Sequence, residues 1–211
     1  MFYFNTLPKI ITPDQNGNNI LLTNLVARAR LIDSLRDNPM LFYEYAIQEG
    51  DTPEIIAEKY YEDPYLYWIV LLSNELLDPL WDWPLDYVTF LSYIDSKYKT
   101  EAEDANQTPF EYTNTQIYQY QKIQTIKNLV SEEEKQTIIN LTQDAYNALS
   151  PSVTNYTLKD STVSTVTIEK KTITLFDYEF NLNESRRQIK LLNKDYVGDF
   201  ETAFRSLMEI K

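Results

Sequence analysis

The sequence contains neither cysteine nor histidine. Without cysteine there can be no disulfide, no thiol nucleophile and no zinc–thiolate site. Without histidine there can be no Ser-His-Asp triad, no HExxH metal site and no imidazole acid or base. Only three glycines occur, Gly17, Gly50 and Gly198, so neither a phosphate-binding loop nor a dinucleotide-binding fingerprint is present. These absences exclude most common catalytic and nucleotide-binding chemistries.

Positive charge is also scarce: the chain has 19 basic and 32 acidic residues, which gives a net charge of −13. Phosphate contacts need clustered lysine and arginine, so nucleic acid and anionic membranes are not expected partners. No stretch approaches the roughly 20 apolar residues of a membrane span. The N-terminus lacks the basic start and apolar core of a signal peptide. We therefore expect a soluble protein that is not exported by the general route and that carries no cofactor and no metal.

Carboxylates are the only catalytic groups left to consider. Asp78, Asp82 and Asp86 recur at intervals of four and are the best candidates for a glycosidase pair or a hard-cation site. However, Pro79 and Pro84 would break any helix that aligned them. The favoured interpretation is a solvated, helix-capping role, since surface acids are usually inert. We therefore expect no enzyme activity.

Residues 43–84 hold the strongest structural pattern. Apolar and polar side chains alternate over residues 43–48, as in a half-buried strand. Gly50 can take the left-handed conformation that ends this strand. Asp51 or Thr52 is expected to cap the next helix, and a capping box would pair Asp51 with Glu54. A short, sharply started helix is therefore predicted after Gly50.

All three tryptophans lie in this same stretch. Asp63 and Pro64 repeat the cap-and-proline signal for a second helix, whose apolar stripe includes Trp68. Trp68 is therefore expected in the core. Trp81 and Trp83 follow in a predicted loop, where two interpretations remain open: local packing, or anchors of a protein interface.

The remaining regions give weaker patterns, and we divide the chain into 1–40, 41–98, 99–182 and 183–211. Region 1–40 is an N-terminal arm with an aromatic strand-like start at 2–4, a polar turn at 14–19 and an amphipathic segment at 20–35. Region 41–98 ends in a helix at about 85–98.

Region 99–182 is interpreted as an insertion. A polar linker at 99–108 precedes residues 125–149, whose helical spacing predicts a middle helix. Residues 163–180 alternate and predict a β-hairpin that turns across 169–171. Region 183–211 ends in a predicted helix with an apolar face from Val197 to Met208.

The pattern in residues 45–74 resembles a LysM module, a compact βααβ unit. This resemblance implies either glycan binding or a docking role built on the same fold. The fold class is thus predicted as α+β, a LysM-like βααβ module flanked by an N-terminal strand and helix, the insertion with its middle helix and β-hairpin, and a C-terminal helix. The residues expected to build the LysM-like module are Tyr45, Gly50, Asp51, Thr52, Trp68 and Asn74.

A broader resemblance covers both ends of the chain. NLVARAR at 24–30, the run from residue 43, YIDSKY at 93–98 and NESRRQIKLLN at 183–193 look like the baseplate wedge protein 53 family of contractile-tailed bacteriophages. Residues from about 100 to 160 have no match in this resemblance. In that family the LysM-like fold fastens onto the bundled helices of other wedge proteins and helps join six wedges around a hub.

The resemblance implies a non-enzymatic structural subunit of the virion, located in the tail baseplate and made in the host cytoplasm. Its implied partners are helical-bundle wedge subunits and the sheath-initiating baseplate protein, with six copies per virion or a multiple of six. The residues expected to bind these partners are Arg28, Arg30, Trp81, Trp83, Arg186 and Arg187.

Two alternatives to this interpretation remain. Arg186 and Arg187 could only balance Glu184 and Asp177, because exposed ion pairs contribute about 0–1 kcal/mol. The alternative function is a glycan-binding LysM module that recognises N-acetylglucosamine polymers of peptidoglycan.

Overall fold

The computed structural model describes residues 3–27, 38–79, 81–157 and 163–209. These residues form helices and several small sheets, which confirms the predicted α+β class. They fall into two compact units: unit 1 is Met1–Asp86 with Asn183–Lys211, and unit 2 is Tyr87–Leu182. Unit 2 is therefore inserted in sequence into unit 1. The four-region division and the LysM-like character of the fold stay predictions.

Unit 1 begins with a short helix and a β-hairpin. Helix α1 is Tyr3–Thr6, so the strand-like start predicted for residues 2–4 is wrong. Strands β1 (Lys9–Pro13) and β2 (Asn19–Thr23) pair antiparallel around the predicted polar turn. Asp14 closes this turn by accepting hydrogen bonds from the amides of Asn16 and Asn18, both at 2.8 Å.

The predicted amphipathic segment at 20–35 is only partly described. Its first residues belong to β2, where pairing with β1 imposes a period of two. Residues 28–37, which include Arg28 and Arg30, lie outside the described residues.

The centre of unit 1 has the chain order strand, helix, helix, strand. Strand β3 (Phe42–Ala46) is followed by helix α2 (Pro53–Tyr61), the 3-10 turn Pro64–Leu66 and helix α3 (Tyr67–Ser73). The second strand is β8 (Gln188–Leu192), which pairs antiparallel with β3. More than 100 residues thus separate two strands that are direct neighbours in space.

The start of α2 differs in one detail from the expectation. Gly50 has φ +82°, in agreement with the predicted left-handed turn. Thr52 is the N-cap, and its hydroxyl accepts a hydrogen bond from the Ile55 amide at 3.3 Å. The predicted capping box between Asp51 and Glu54 is therefore wrong: Asp51 lies one residue before the cap and uses its carboxylate elsewhere.

The core of unit 1 forms on α2, α3 and β8, with the last helix, α9 (Val197–Glu209), completing it. Trp68 is 3% exposed and packs on Phe204, with ring centroids 4.7 Å apart. This confirms Trp68 as a core residue and confirms the C-terminal helix. The buried apolar residues of this core are Leu7, Ile47, Ile56, Ala57, Leu66, Trp68, Ile69, Val70, Ile189, Leu191, Leu192, Phe204 and Met208.

Unit 2 opens with three helices, α4 (Tyr87–Lys97), α5 (Lys99–Asp104) and α6 (Pro109–Thr115). The helix predicted for 85–98 is confirmed as α4. The predicted linker at 99–108 is instead mostly helical, because α5 follows α4 after a single residue and buries Ala102.

A four-stranded antiparallel sheet makes up the rest of unit 2, in the order β5-β4-β7-β6. Its strands are β4 (Ile117–Asn128), β5 (Glu134–Leu141), β6 (Ser152–Thr157) and β7 (Val163–Thr174). A short helix α7 (Gln143–Ala148) connects β5 to β6, and helix α8 (Leu175–Ser185) follows β7.

The middle helix predicted for residues 125–149 is wrong. The segment forms the end of β4, a turn with Glu132 at φ +58°, strand β5 and only the six-residue α7. Its isoleucines and threonines are β-branched residues that prefer strands, and pairing of β4 with both β5 and β7 satisfies its backbone groups. Tertiary pairing has therefore overridden the helical spacing.

The β-hairpin predicted across residues 169–171 is also wrong, although its β-structure is correct. Strand β7 runs without interruption through this position, which contains no turn-forming residue. The strand ends at Thr174, whose amide donates to the Asp177 carboxylate at 3.1 Å while the Asp177 amide donates to its hydroxyl. This reciprocal pair starts α8, so the predicted second arm is helical.

Candidate docking site in unit 1

Asp51 is the centre of the turn that joins β3 to α2. Its carboxylate accepts hydrogen bonds from Tyr45 Oη at 2.7 Å, the Gln48 amide at 3.0 Å and Lys59 Nζ at 2.5 Å. The Asp51 side chain is only 2% exposed, whereas that of Lys59 is 56% exposed. Three hydrogen bonds to the buried Asp51 carboxylate therefore fix the conformation of this turn. The rest of the site is positioned by contacts with it.

These contacts change the acidity of both partners. Burial would raise the pKa of Asp51, but the hydrogen bonds from Lys59, Tyr45 and the Gln48 amide outweigh it and lower this pKa below its ordinary value. Burial, together with the neighbouring Asp51 carboxylate, raises the pKa of Tyr45 to about 12. Asp51 thus remains an anion and Tyr45 a neutral donor at physiological pH.

This arrangement predicts a pH dependence of the stability of unit 1. A carboxylate with a lowered pKa stabilises the fold above its ordinary pKa of 3.8 and loses this contribution as the pH falls towards the lowered value. We expect Asp51→Asn to be less stable than wild type at pH 7, with the difference shrinking below about pH 4. Urea unfolding followed by tryptophan fluorescence tests this, since all three tryptophans lie in unit 1. Parallel curves for the two proteins from pH 6 to 3 would contradict it.

Trp83 is tied to this turn. Its Nε1 donates to the Asp51 carbonyl at 2.9 Å, and its half-buried ring packs against the core of unit 1. Local packing, one of the two interpretations left open by the sequence, is therefore seen for Trp83, and its expected role in partner binding stays a prediction.

Trp81 lies two residues earlier and is presented to solvent, 70% exposed. The backbone around it is fixed: the Trp81 and Asp82 amides both donate to the Asp78 carbonyl, at 3.1 and 2.8 Å. The Asp82 carboxylate accepts from the amides of Leu77 and Asp78, at 3.3 and 3.0 Å. Trp81 is thus a large exposed aromatic on a loop whose conformation is already set.

Arg186 and Arg187 also hold the segment that contains Trp81. Arg186 Nη1 donates to the Trp81 carbonyl at 2.6 Å. Arg187 donates to Glu184 at 2.8 Å, to Glu49 at 3.2 Å and to the Leu85 carbonyl at 3.1 Å. Both arginines therefore position the segment 81–85, and a direct role of either in partner binding stays a prediction.

Asn183, which the sequence analysis did not single out, completes the support. Its side-chain amide forms two hydrogen bonds with the backbone of Leu85, accepting at 2.7 Å and donating at 3.0 Å. The two residues are 98 positions apart. No local pattern connects them, so only the fold reveals this contact.

A groove with a volume of about 350 Å³ lies beside the turn. It brings together several residues that the sequence predicted as important, whereas Trp68 in the core and Asn74 against β8 lie elsewhere in unit 1. The groove is lined by Ile47, Gln48, Gly50, Asp51, Thr52, Pro79, Trp83, Pro84, Leu85, Asp86 and Arg187.

Asn74 has a purely internal role. Its Nδ2 donates to the carbonyls of Val70 and Lys190, both at 2.8 Å, and its Oδ1 accepts from the Lys190 amide at 2.7 Å. The side chain thus pairs with β8 as a neighbouring strand would, and it fastens α3 to the sheet.

Two negative findings apply to the described part of the chain. No group of three acidic residues there is arranged to hold a metal ion. No helix there is both long and apolar enough to cross a membrane.

The family comparison agrees with the resemblance seen in the sequence. A family model described as base plate wedge protein 53 matches residues 30–210. The match includes residues 100–160, which the resemblance left uncovered, and begins after the β1–β2 hairpin. A comparison with curated proteins found no match.

Proposed function

This chain belongs to the base plate wedge protein 53 family, and from that premise we propose that it docks onto other wedge proteins and helps join wedges into a ring around the hub. Membership makes it a structural protein of the phage tail baseplate in the virion. The proposal adds that the protein is not an enzyme and that it is made in the host cytoplasm. It also adds that the protein binds helical-bundle wedge subunits and the sheath-initiating baseplate protein. Each virion would contain six copies of this chain or a multiple of six.

One observation carries the docking proposal: Trp81 is 70% exposed on a loop fixed by hydrogen bonds. Tryptophan is among the residues most enriched at binding hot spots, because it buries a large area on a rigid side chain. A loop that is already ordered adds little conformational cost on binding. Leu77, also 70% exposed, widens the apolar surface of the same loop. We refer to Leu77 and Trp81 together as the Trp81 loop surface.

We expect Trp81→Ala to fold normally but to fail in wedge assembly. Removing an anchor of this kind commonly costs 2 kcal/mol or more of binding energy, about a thirtyfold loss of affinity. The measurement is sedimentation of complexes after co-expression with the neighbouring wedge proteins. Trp81→Phe should retain most of the binding, and Tyr65→Ala, an exposed aromatic of unit 1 elsewhere in the sequence, should have no effect.

Trp83→Ala separates folding from docking. Because Trp83 packs on the core and donates to Asp51, its removal should lower the free energy of unfolding by about 2 kcal/mol, less than for a fully buried tryptophan.

Normal wedge complexes from Trp81→Ala would place the docking surface elsewhere on this chain.

The family match gives no support to the alternative function, binding of peptidoglycan glycans. We expect calorimetric titration of the protein with N-acetylglucosamine oligomers to give no saturable heat. Saturable binding at micromolar concentration would overturn this expectation and would direct attention to the groove beside Asp51.

A further inference from the structure

The Trp81 loop surface lies among carboxylates. Asp78 and Asp82 belong to the same turn as Trp81, since the Trp81 and Asp82 amides both donate to the Asp78 carbonyl, at 3.1 and 2.8 Å. Asp78 is exposed and Asp82 is half-buried. Between residues 60 and 96 the sequence contains seven acidic residues and neither lysine nor arginine. The exposed apolar side chains of this loop therefore lie in a segment that supplies negative charge alone.

The basic residues that meet segment 75–86 do not cancel its charge. Arg186 and Arg187 donate to backbone carbonyls of the segment, and Arg187 is also paired with two carboxylates. The segment, the charged residues that contact it and their ion-pair partners contain seven carboxylates and three cations. Lys190, which contacts the neighbouring Asn74, raises the cations to four and leaves a net charge of −3. The carboxylates in this count belong to Glu49, Asp51, Glu75, Asp78, Asp82, Asp86 and Glu184.

Asp82 and Trp81 both offer a contact for a cation. The Asp82 carboxylate accepts from the amides of Leu77 and Asp78, which are uncharged donors, and pairs with no lysine or arginine among the described residues. The face of a tryptophan ring attracts a lysine or arginine that lies within about 6 Å of its centroid. In the described part of the chain no cation occupies the Trp81 ring. The loop thus combines an uncompensated carboxylate with an open aromatic face.

We propose that the Trp81 loop surface binds a positively charged surface of a wedge protein, on which a lysine or arginine lies over the indole and faces Asp82. This inference rests on the proposed docking function and adds the chemistry of the partner. The aliphatic stem of such a side chain can pack on the apolar surface of Leu77 and Trp81 while its charged end stays beside the carboxylates. A partner that presented carboxylates here would be repelled, so the charge of the loop also selects among partners.

Neutralising two carboxylates of the loop is the first test. In the double variant Asp78→Asn, Asp82→Asn, each asparagine keeps an oxygen that can accept hydrogen bonds, so the loop should keep its conformation. This variant should bind about tenfold more weakly than wild type to wedge complexes purified without this chain, as measured by sedimentation. The matched control, Glu44→Gln with Glu58→Gln, removes two exposed carboxylates of unit 1 outside the loop and should bind as wild type. Thermal unfolding identifies any loss that comes from misfolding.

Salt provides the second test, because it screens attraction between exposed charges. Between about 0.05 and 0.5 M NaCl the affinity of the wild-type chain for these complexes should fall about tenfold. The affinity of the double asparagine variant should fall by no more than about threefold, since less charge remains to be screened.

Trp81→Leu tests the contact between the ring and the cation. Leucine keeps an apolar surface but has no aromatic face, so Trp81→Leu should bind about threefold more weakly than Trp81→Phe. Equal binding by these two variants would overturn the placement of a cation over the ring.

The remaining outcomes distinguish this inference from the proposed function. Loss of binding in Trp81→Ala, together with unchanged binding in the double asparagine variant, would keep the docking site and overturn the positively charged partner. Tighter binding by the double asparagine variant, or an affinity that rises with salt, would assign an acidic partner and would also overturn the inference. Normal binding by Trp81→Ala would overturn both the inference and the docking site on which it rests.

Discussion

Replacing Trp68 by alanine is expected to lower the free energy of unfolding by about 3–5 kcal/mol, the range for truncation of a buried aromatic. The ring is 3% exposed and contacts Phe204, Tyr3 and Phe200, with centroids 4.7, 5.7 and 5.9 Å away. These partners come from α1 and α9, so the ring, which belongs to α3, joins three separate parts of unit 1. A cavity at this point would weaken contacts between all of them.

The measurement is urea unfolding followed by far-UV circular dichroism, with two controls. Trp81→Ala removes an equal ring from a site that is 70% exposed and should change the free energy by no more than about 0.5 kcal/mol. Trp68→Phe should cost much less than Trp68→Ala, because it keeps an aromatic ring and removes an Nε1 that is buried without an acceptor among the described residues. Coincident curves for Trp68→Ala and wild type would mean that this ring is not central to the core.

The second large effect is expected at Glu179 in unit 2. Its side chain is 3% exposed and accepts from Lys97 Nζ at 2.6 Å, Tyr98 Oη at 2.7 Å and Tyr93 Oη at 3.1 Å. Burial would raise the pKa of Glu179, but these hydrogen bonds, with that of Lys97 the largest, outweigh it and lower the pKa. The anion therefore fastens α8 to α4 and to Tyr98, the residue that follows α4, through groups that are 81 to 86 positions away in sequence.

We expect Glu179→Gln to lower the free energy of unfolding by about 2–3 kcal/mol, since hydrogen bonds to a charged group contribute about 1.5–3 kcal/mol. This loss of unfolding free energy is smaller than is usual for a broken buried ion pair, because Lys97 is 42% exposed and can return to water. Glu169→Gln, at an exposed position of β7, is the control and should stay within about 0.5 kcal/mol. A midpoint for Glu179→Gln equal to that of the control would contradict this role.

The contribution of Glu179 to stability depends on pH with the same sign as that of Asp51. The contribution of Glu179 should be complete well above its ordinary pKa of 4.5 and should be lost as the pH falls towards the lowered value. Glu179→Gln should therefore differ most from wild type near neutrality and approach it in acid.

Short-range signals predicted the local structure of unit 1 well. Gly50, Thr52 and Asp63 determine where the chain turns and where its helices start, and each acts on a backbone within three residues. The burial of Trp68 also followed from the sequence, because its stripe on the second helix was too apolar for solvent. These interactions lie within one or two helical turns, so the residues that carry them are visible together in the sequence.

Unit 2 shows where such signals fail. The spacing of apolar residues at 125–149 matched a helix, but a β-branched segment adopts the structure whose hydrogen-bond partners are available. Within this segment the end of β4 pairs with β5, and β4 also pairs with β7, which lies about 40 residues further along the chain. The predicted hairpin across 169–171 failed for the same reason, since β7 finds its neighbours in β4 and β6 and not within itself.

The features of the candidate site also divide into those visible in the sequence and those that depend on the tertiary structure. The sequence by itself determined that this chain has no histidine or cysteine chemistry, that it is acidic, and that its three tryptophans are concentrated within residues 68–83. Only the tertiary structure decided that Trp83 is tied to Asp51 and that Trp81 is presented on a fixed loop. The physical reason is that Arg186 and Asn183, which hold segment 81–85, lie about 100 residues from it and meet it only because β8 pairs with β3.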